Sequence, residues 1–218
     1  MNIVRPRALL FDWDNTLVDT WETIHAALNT VLTAMGHVPW TPEETRARVR
    51  ASARDAFPAL FGARADEATE IFYRAFESQH LQTLRERDGA GAMLRTLAEM
   101  DPLYLAVVSN KKGHLLRREA AHIGWTGYFA RLVGANDAAK DKPAVETVHL
   151  ALSESDLQPG PDVWFVGDTD IDMTCAAVAG CIPILLRPEA PAENEFPGAE
   201  PHLHVASCRA LLEVIQAF

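Results

Sequence analysis

The segment most informative about the fold is Ala8-Leu9-Leu10-Phe11-Asp12-Trp13-Asp14-Asn15-Thr16-Leu17. Its first four residues are apolar, and the apolar run ends abruptly at Asp12. A short, continuously apolar segment that gives way to polar residues is typical of a buried parallel strand feeding a loop. We therefore predict a strand over residues 8–11, with Asp12 and Asp14 in the loop that follows it.

Apolar runs and segments of helical periodicity alternate through the C-terminal part of the chain. The runs predict strands at 103–108, 131–134, 163–166, 182–186 and 202–205, and the periodic segments predict helices at 91–100, 112–123, 143–153, 172–179 and 207–217. This alternation indicates a doubly wound, Rossmann-like α/β fold with a parallel sheet. Pro183 cannot donate a sheet hydrogen bond, so we expect it at the start of its strand or on an edge strand.

Residues 18–87 interrupt the alternation of strands and helices. Residues 21–36 carry one apolar face, and Thr41 with Pro42 forms a typical helix start. The rest of the stretch is rich in Ala, Arg and Glu, and no strand is evident in it. We predict an inserted α-helical cap domain at residues 18–87 and an α/β core domain formed by residues 1–17 and 88–218.

Composition and charge limit the possible partners. Twenty basic and thirty acidic side chains give the 218 residues a formal net charge of −10, which argues against nucleic acid or an anionic membrane as the main partner. An anionic substrate must then be held by local groups or by a metal. The three cysteines show no paired spacing, the N-terminus does not resemble a signal peptide, and no apolar run reaches the ~18 residues of a membrane span. We expect a cytoplasmic protein with reduced thiols.

Four polar clusters follow predicted strands or open predicted helices. They lie at residues 12–17, 109–111, 142–143 and 167–172. Because ligands bind at the carboxyl ends of the strands in an open parallel sheet, we expect these clusters to form one site. Lys142 is favoured over Lys140 for this site because Pro143 follows it.

These residue types suit phosphoryl transfer. A carboxylate such as Asp12 can attack phosphorus, and Mg²⁺ held by Asp12 and Asp168 can bridge carboxylates and phosphate. Lys142 can neutralise phosphate charge and hold Asp12, while Ser109 and a nearby backbone N–H can bind phosphate oxygens. Asp14 could protonate the leaving group and then activate water.

The order DxDxT, S-N, K-P and GDxxxD resembles the four motifs of the haloacid dehalogenase-like hydrolases, within which the chain is most similar to the phosphoglycolate phosphatase-like branch. Residues 18–87 lie where that superfamily inserts its helical type-1 cap. The resemblance implies that a small phosphorylated metabolite is hydrolysed with Mg²⁺. By this resemblance, Asp12 would be the nucleophile and a magnesium ligand, and Asp14 would be the general acid/base and a magnesium ligand through its carbonyl. Asp168 would be a further magnesium ligand, while Ser109, the Asn110 backbone and Lys142 would bind phosphate, with Lys142 also balancing its charge. Thr16 would support the turn after Asp12, and Asp172 would orient a metal-bound water or Lys142.

Two rival functions stay open at this point. A phosphomutase of the β-phosphoglucomutase type shares core and cap, but it carries a histidine where this chain has Ile24, with His25 one step beyond. A non-catalytic binding protein of the same fold would be expected to lack Asp12, Asp14 or Lys142, and all three are present.

Several other polar residues suggest weaker interpretations. We expect Lys111 and Lys112 to be solvated, although Lys111 could touch substrate from the rim of the site. Asp170 is expected at a helix start or supporting the site, and His202 with His204 on a half-exposed strand. One arginine of the cap could bind a substrate carboxylate, and the candidates are Arg46, Arg48, Arg50 and Arg54. The sequence does not indicate an oligomeric state.

Overall fold

The computed structural model describes residues 3–218 and contains strands and helices that alternate along most of the chain. The strands are β1 (Ala8–Phe11), β2 (Val18–Asp19), β3 (Arg85–Glu86), β4 (Tyr104–Lys112), β5 (Arg131–Ala135), β6 (Val163–Gly167), β7 (Ile182–Leu186) and β8 (Leu203–Val205). The helices are α1 (Trp21–Ala34), α2 (Pro42–Arg48), α3 (Ala53–Phe61), α4 (Ala65–Glu77), α5 (His80–Thr83), α6 (Ala90–Ala98), α7 (Gly113–His122), α8 (Glu146–Leu152), α9 (Asp170–Ala179) and α10 (Cys208–Gln216).

Six strands form one parallel sheet in the order β5-β4-β1-β6-β7-β8. Every residue of β1 is fully buried, as its uninterrupted apolar sequence requires for a strand covered on both faces. Leu10 pairs in register with Ala106 of β4 on one side and with Phe165 of β6 on the other. The predicted doubly wound α/β fold is confirmed.

The direction of winding reverses beside β1. The chain builds the sheet outward through β4 and β5, then crosses to β6 and continues through β7 and β8. The carboxyl ends of β1 and β6 therefore flank a topological switch point, where open α/β sheets bind ligands. Asp12 and Asp168 are the residues that directly follow these two strands.

One face of the sheet packs against α8 and α9. The shared apolar cluster joins Leu10 and Phe165 of the strands to Val148 of α8 and Cys175 of α9. Burial raises the pKa of the Cys175 thiol to about 12, and the three cysteines are free and buried, as expected from their spacing. This packing holds in place the strands whose following loops carry the polar clusters.

Residues Asp19–Arg85 form a second compact unit, distinct from the unit built of Glu86–Phe218 and the chain up to Val18. Its core is made by apolar residues of α1, α3 and α4, including Leu32, Phe57 and Ala68. Thr41 accepts a hydrogen bond from the Glu44 backbone at the start of α2, as its sequence predicts. The division falls next to the predicted boundaries at 17/18 and 87/88; the role of the helical unit as a cap stays a prediction.

Some boundaries differ from those predicted. β2 and β3 pair with each other where the chain passes between the units, although no strand was predicted at 18–87; two-residue strands are too short to show a periodicity. β4 continues to Lys112 through a register shift after Val108, so it does not end before Ser109 and Asn110. Pro183 is the second residue of β7, an interior strand, so of the two expected positions it occupies the one at the strand start.

Two helices also begin elsewhere than predicted. α9 begins at Asp170 rather than at residue 172, and α8 begins at Glu146 rather than at residue 143. Asp170 is exposed at the start of its helix, one of the two positions expected for it. Within residues 3–218, no helix has both the length and the apolar character that crossing a bilayer needs.

Candidate active site

Lys142 joins two of the predicted acidic positions in a buried cluster. Its Nζ lies 2.6 Å from Oδ1 of Asp12 and 2.7 Å from Oδ1 of Asp172. All three residues are nearly inaccessible, with 6% exposure for Asp12, 2% for Lys142 and 1% for Asp172. A buried charge is tolerated only when it is paired and hydrogen-bonded, so this ammonium fixes both carboxylates.

Thr16 connects Asp12 to Asp168. Its Oγ1 lies 3.3 Å from Oδ2 of Asp12 and 3.1 Å from Oδ1 of Asp168, and its single proton can be donated to one acceptor at a time. One carboxylate oxygen from each of Asp12, Asp168 and Asp172 lies within 4.8 Å of the other two. The three residues come from the ends of β1 and β6 and from the first turn of α9.

The charge balance of this cluster fits a hard divalent cation. Three carboxylates face one ammonium, which leaves negative charge in a desolvated place. Burial raises the pKa of Asp12 to about 7, against the opposing charge of Lys142. Burial, with the charges of Asp172 and Asp12, also raises the pKa of Asp168 well above its ordinary value. An all-oxygen donor set that would otherwise take up protons is suited to a cation such as Mg²⁺.

Asp172 is held from its other side by the loop before α9. The backbone N–H and the hydroxyl of Thr169 donate to Oδ2 of Asp172 at 3.1 and 2.9 Å, which leaves Oδ1 facing Lys142. Gly167 makes this approach possible, because a Cβ built there would lie 2.3 Å from Cβ of Asp172. Of the two roles suggested for Asp172, its contacts fit the orientation of Lys142.

Asn110 fastens the loop that carries Lys142. Its amide oxygen accepts from the Lys142 backbone N–H at 2.9 Å, and its Nδ2 donates to the Lys142 carbonyl at 3.2 Å. The buried Ser109 hydroxyl accepts from the Lys111 backbone N–H at 3.2 Å. The second cluster therefore lies beside the third, as the sequence predicts.

Lys111 is buried, so the expectation that it is solvated is wrong. Its Nζ lies 2.6 Å from Oδ1 of Asp14 and 2.6 Å from Oε2 of Glu119 in α7. The same Glu119 oxygen accepts a hydrogen bond from the Trp13 indole N–H at 2.7 Å. Desolvation alone would lower the pKa of Lys111, but the charges of Asp14 and Glu119 outweigh it and raise that pKa. Glu119 could not be predicted from the sequence, since its contact with Lys111 depends on how α7 packs beside β4.

Arg187 is a second residue near the site for which the sequence motifs predict no role. It directly follows β7, its Nη1 lies 3.4 Å from the Asp168 carbonyl, and it forms a two-point ion pair with Glu195 at 2.8 and 2.7 Å. A basic residue after a parallel strand is the signal that could have found it. It supports the backbone that carries Asp168.

Other polar candidates lie apart from the cluster. Lys140 is exposed and pairs with Glu146 at 3.6 Å, so of Lys140 and Lys142 it is Lys142 that contacts Asp12. His204 hydrogen-bonds the Arg187 carbonyl at 2.8 Å, and His202 is exposed. Contacts inside the helical unit engage two of the arginines, since Arg48 pairs with Glu44 and Arg50 donates to the Arg46 carbonyl.

Comparison with known proteins identifies the family of the chain. The family model of the haloacid dehalogenase-like hydrolases matches residues 9–185, and the chain belongs to that family. It is 32% identical to a phosphoglycolate phosphatase of Xylella fastidiosa, over 80% of this chain and 77% of the relative. A phosphoglycolate phosphatase of Rhodobacter capsulatus is 28% identical over 84% of each chain. The predicted enzyme class, a phosphoric monoester hydrolase, is confirmed by these matches.

Solved structures share the fold along almost the whole chain. A haloacid dehalogenase-superfamily hydrolase from Ehrlichia chaffeensis superimposes with a TM-score of 0.68 at 30% identity, covering 99% of this chain and 98% of the other. A haloacid dehalogenase-like family protein from Streptococcus pneumoniae superimposes with a TM-score of 0.84 at 19% identity, over 97% and 99% of the two chains. At that identity the second match supports the fold alone.

Substitution of Gly167 tests how tightly Asp172 is packed. In Gly167→Ala the new Cβ would overlap Asp172, so we expect unfolding free energy to fall by about 1–3 kcal/mol in urea denaturation. Gly127→Ala is the matched control, because within residues 3–218 no atom beyond the neighbouring chain segment lies within 4 Å of the added Cβ there. Equal stability of the two variants would contradict the close contact.

Proposed function

We propose that the protein is a magnesium-dependent phosphatase that hydrolyses a small phosphate monoester through an aspartyl phosphate on Asp12. The observation that carries this proposal is the buried Asp12 carboxylate, which lies between Lys142 and Thr16 and beside Asp168 and Asp172. The names of the relatives support a phosphoglycolate-like substrate, and a short sugar phosphate is the other compact monoester that we propose. The helical unit would act as a cap that restricts the substrate to small molecules.

Asp12 is the proposed nucleophile because it directly follows β1 and both oxygens of its carboxylate have a neighbouring polar group. Lys142 holds Oδ1 and Thr16 approaches Oδ2, so the carboxylate has a fixed orientation at the end of β1. Attack on phosphorus forms an acyl phosphate while the bond to the leaving-group oxygen breaks. Water then attacks the phosphorus, which releases free phosphate and regenerates the Asp12 carboxylate.

The remaining polar residues would bind the phosphoryl group. Ser109 and the Asn110 backbone N–H would donate to its oxygens, and Lys142 would offset its charge. Asn110 supports this arrangement through its paired hydrogen bonds with the Lys142 backbone. Mg²⁺ held by Asp12, Asp168 and the Asp14 carbonyl would supply further neutralisation of the carboxylates and the phosphate.

Asp14 is the proposed general acid and base. It lies two residues beyond Asp12, its carboxyl keeps 19% exposure, and Lys111 contacts its Oδ1. Asp14 would donate a proton to the leaving-group oxygen as the bond to phosphorus breaks. It would then take a proton from the water that attacks the aspartyl phosphate, which returns it to its starting state.

The phosphomutase alternative is disfavoured by His25. Its Nδ1 lies 2.8 Å from the Thr45 hydroxyl and its Nε2 lies 3.3 Å from Nδ2 of Asn29, so both ring nitrogens have partners inside the helical unit. The place where the mutases carry their histidine is Ile24 here. Release of free phosphate, rather than an isomerised sugar phosphate, is therefore the expected product.

Asp12→Asn tests the nucleophile. An amide does not form the aspartyl phosphate, so we expect kcat for phosphoglycolate, measured as phosphate release, to fall by at least about 10³-fold. Asp170→Asn is the matched control, since Asp170 is an exposed acidic residue at the start of α9. Retention of wild-type turnover by folded Asp12→Asn would refute the role of Asp12.

Magnesium should stabilise the protein more at high pH than at low pH. Because burial raises the pKa of Asp12 to about 7 in the folded chain, its proton stabilises the metal-free fold below its ordinary pKa, and this contribution is lost as pH rises through about 7. A bound cation replaces that proton. We therefore expect Mg²⁺ to raise Tm more at about pH 8 than at about pH 5.

Asp168→Asn should reduce this magnesium-dependent rise in Tm, because it removes a carboxylate of the acidic cluster.

EDTA should stop phosphate release by the wild-type protein, and added Mg²⁺ should restore it. Unchanged turnover in excess EDTA would contradict magnesium dependence.

A further inference from the structure

A hydrogen-bonded chain that the family motifs do not explain is formed by Trp13, Asp14, Lys111 and Glu119. We call these four residues the buried quartet. The Trp13 indole N–H and the Lys111 ammonium both donate to Oε2 of Glu119, at 2.7 and 2.6 Å. The ammonium also lies 2.6 Å from Oδ1 of Asp14. The side chains of Glu119 and Lys111 are 0% and 4% exposed, so Asp14 at 19% is the only member of the four that reaches solvent appreciably.

We propose that Glu119 and Trp13 are positioning residues that act through Lys111 to hold the Asp14 carboxyl toward the leaving group. This inference rests on the proposed function, in which Asp14 is the general acid and base. The quartet fixes one loop at two successive residues, Trp13 through its indole and Asp14 through its carboxylate. Both contacts end on the Lys111–Glu119 pair, which is supplied by β4 and α7.

The members of the quartet have little freedom to reorient. The Trp13 ring is fully buried and packs edge-on against Trp125 and Phe129, with centroids at 5.8 and 6.5 Å. The Glu119 side chain is fully buried, and its charge is compensated by Lys111. Long lysine side chains lose several rotamers when they are fixed, so a second anchor on Glu119 lowers the cost of holding Lys111 against Asp14.

A purely structural role is the rival explanation of the quartet. Buried ion pairs are weak evidence for stability, because apolar residues of similar volume often stabilise a core as well or better. What the ion pair adds is a fixed direction for the charges. That direction matters only if Asp14 must meet a particular atom, which is the leaving-group oxygen in the proposed reaction.

The two explanations differ in how they depend on the leaving group. Nitrophenolate leaves without a proton, whereas the alkoxide of an alkyl ester must be protonated as its bond breaks. The ratio of kcat/KM for p-nitrophenyl phosphate to kcat/KM for phosphoglycolate therefore reports the general acid. Because kcat/KM covers the steps up to phosphoryl transfer, the later hydrolysis of the aspartyl phosphate does not enter it.

The experiment compares Trp13→Phe and Glu119→Gln with the wild type. Glu119→Gln conserves the shape of the side chain. Trp13→Phe keeps an aromatic ring but is smaller, and it removes one hydrogen bond without leaving a charge unpaired. We expect both variants to raise the ratio of aryl-ester to alkyl-ester kcat/KM on the order of ten-fold, mainly by lowering kcat/KM for the alkyl ester. The assays are made at a temperature well below the Tm of each variant. If Glu119→Gln does not fold, Trp13→Phe carries the test.

Trp164→Phe is the matched control for the loss of an indole. Trp164 is also fully buried in the sheet, and its N–H has no hydrogen-bond partner among residues 3–218. We expect it to leave the ratio unchanged. An unchanged ratio in folded Trp13→Phe, or an equal rise in Trp164→Phe, would overturn the positioning role. A wild type that hydrolyses neither ester would instead refute the proposed function itself.

Discussion

The ammonium of Lys142 is the group on which the rest of the site depends. It is 2% exposed and lies between the carboxylates of Asp12 and Asp172, with Asp168 close by. Like charges gathered in a desolvated place repel one another and tend to take up protons, so without this cation the cluster would lose its ionised form. Removal of one member of a buried pair is costly, because the other charge is left uncompensated.

The topology of the sheet is what brings Lys142 to Asp12 from 130 residues away. Parallel strands end on one edge, and the reversal of winding beside β1 leaves room between the ends of β1 and β6. Asp12 and Asp14 then receive separate lysines, since Lys142 contacts the first and Lys111 the second. Two carboxylates only two residues apart are thereby held in different surroundings, as the proposed nucleophile and the proposed general acid would require.

Much of this arrangement could be predicted from the sequence, because it depends on short apolar runs and on the order of polar clusters. The side chains of Asp12, Thr16, Lys142, Asp168 and Asp172 do come together. Asp12 and Asp168 directly follow strands and Asp172 lies in the first turn of α9, whereas Thr16 and Lys142 lie in loops. Lys111 could not be assigned, because its burial depends on the extension of β4 and on Glu119 of α7, which no periodicity reveals. β2 and β3 were missed because two residues carry no pattern.

Trapping of the covalent intermediate tests whether the Asp12 carboxylate attacks phosphorus. The enzyme would be mixed with Mg²⁺ and phosphoglycolate, quenched in acid during turnover, and mapped by peptide mass spectrometry, since acyl phosphates persist longest in acid. Attack by Asp12 predicts one added phosphoryl group on the peptide that contains Asp12, and none in Asp12→Asn. A phosphoryl group on a different residue during turnover would contradict it.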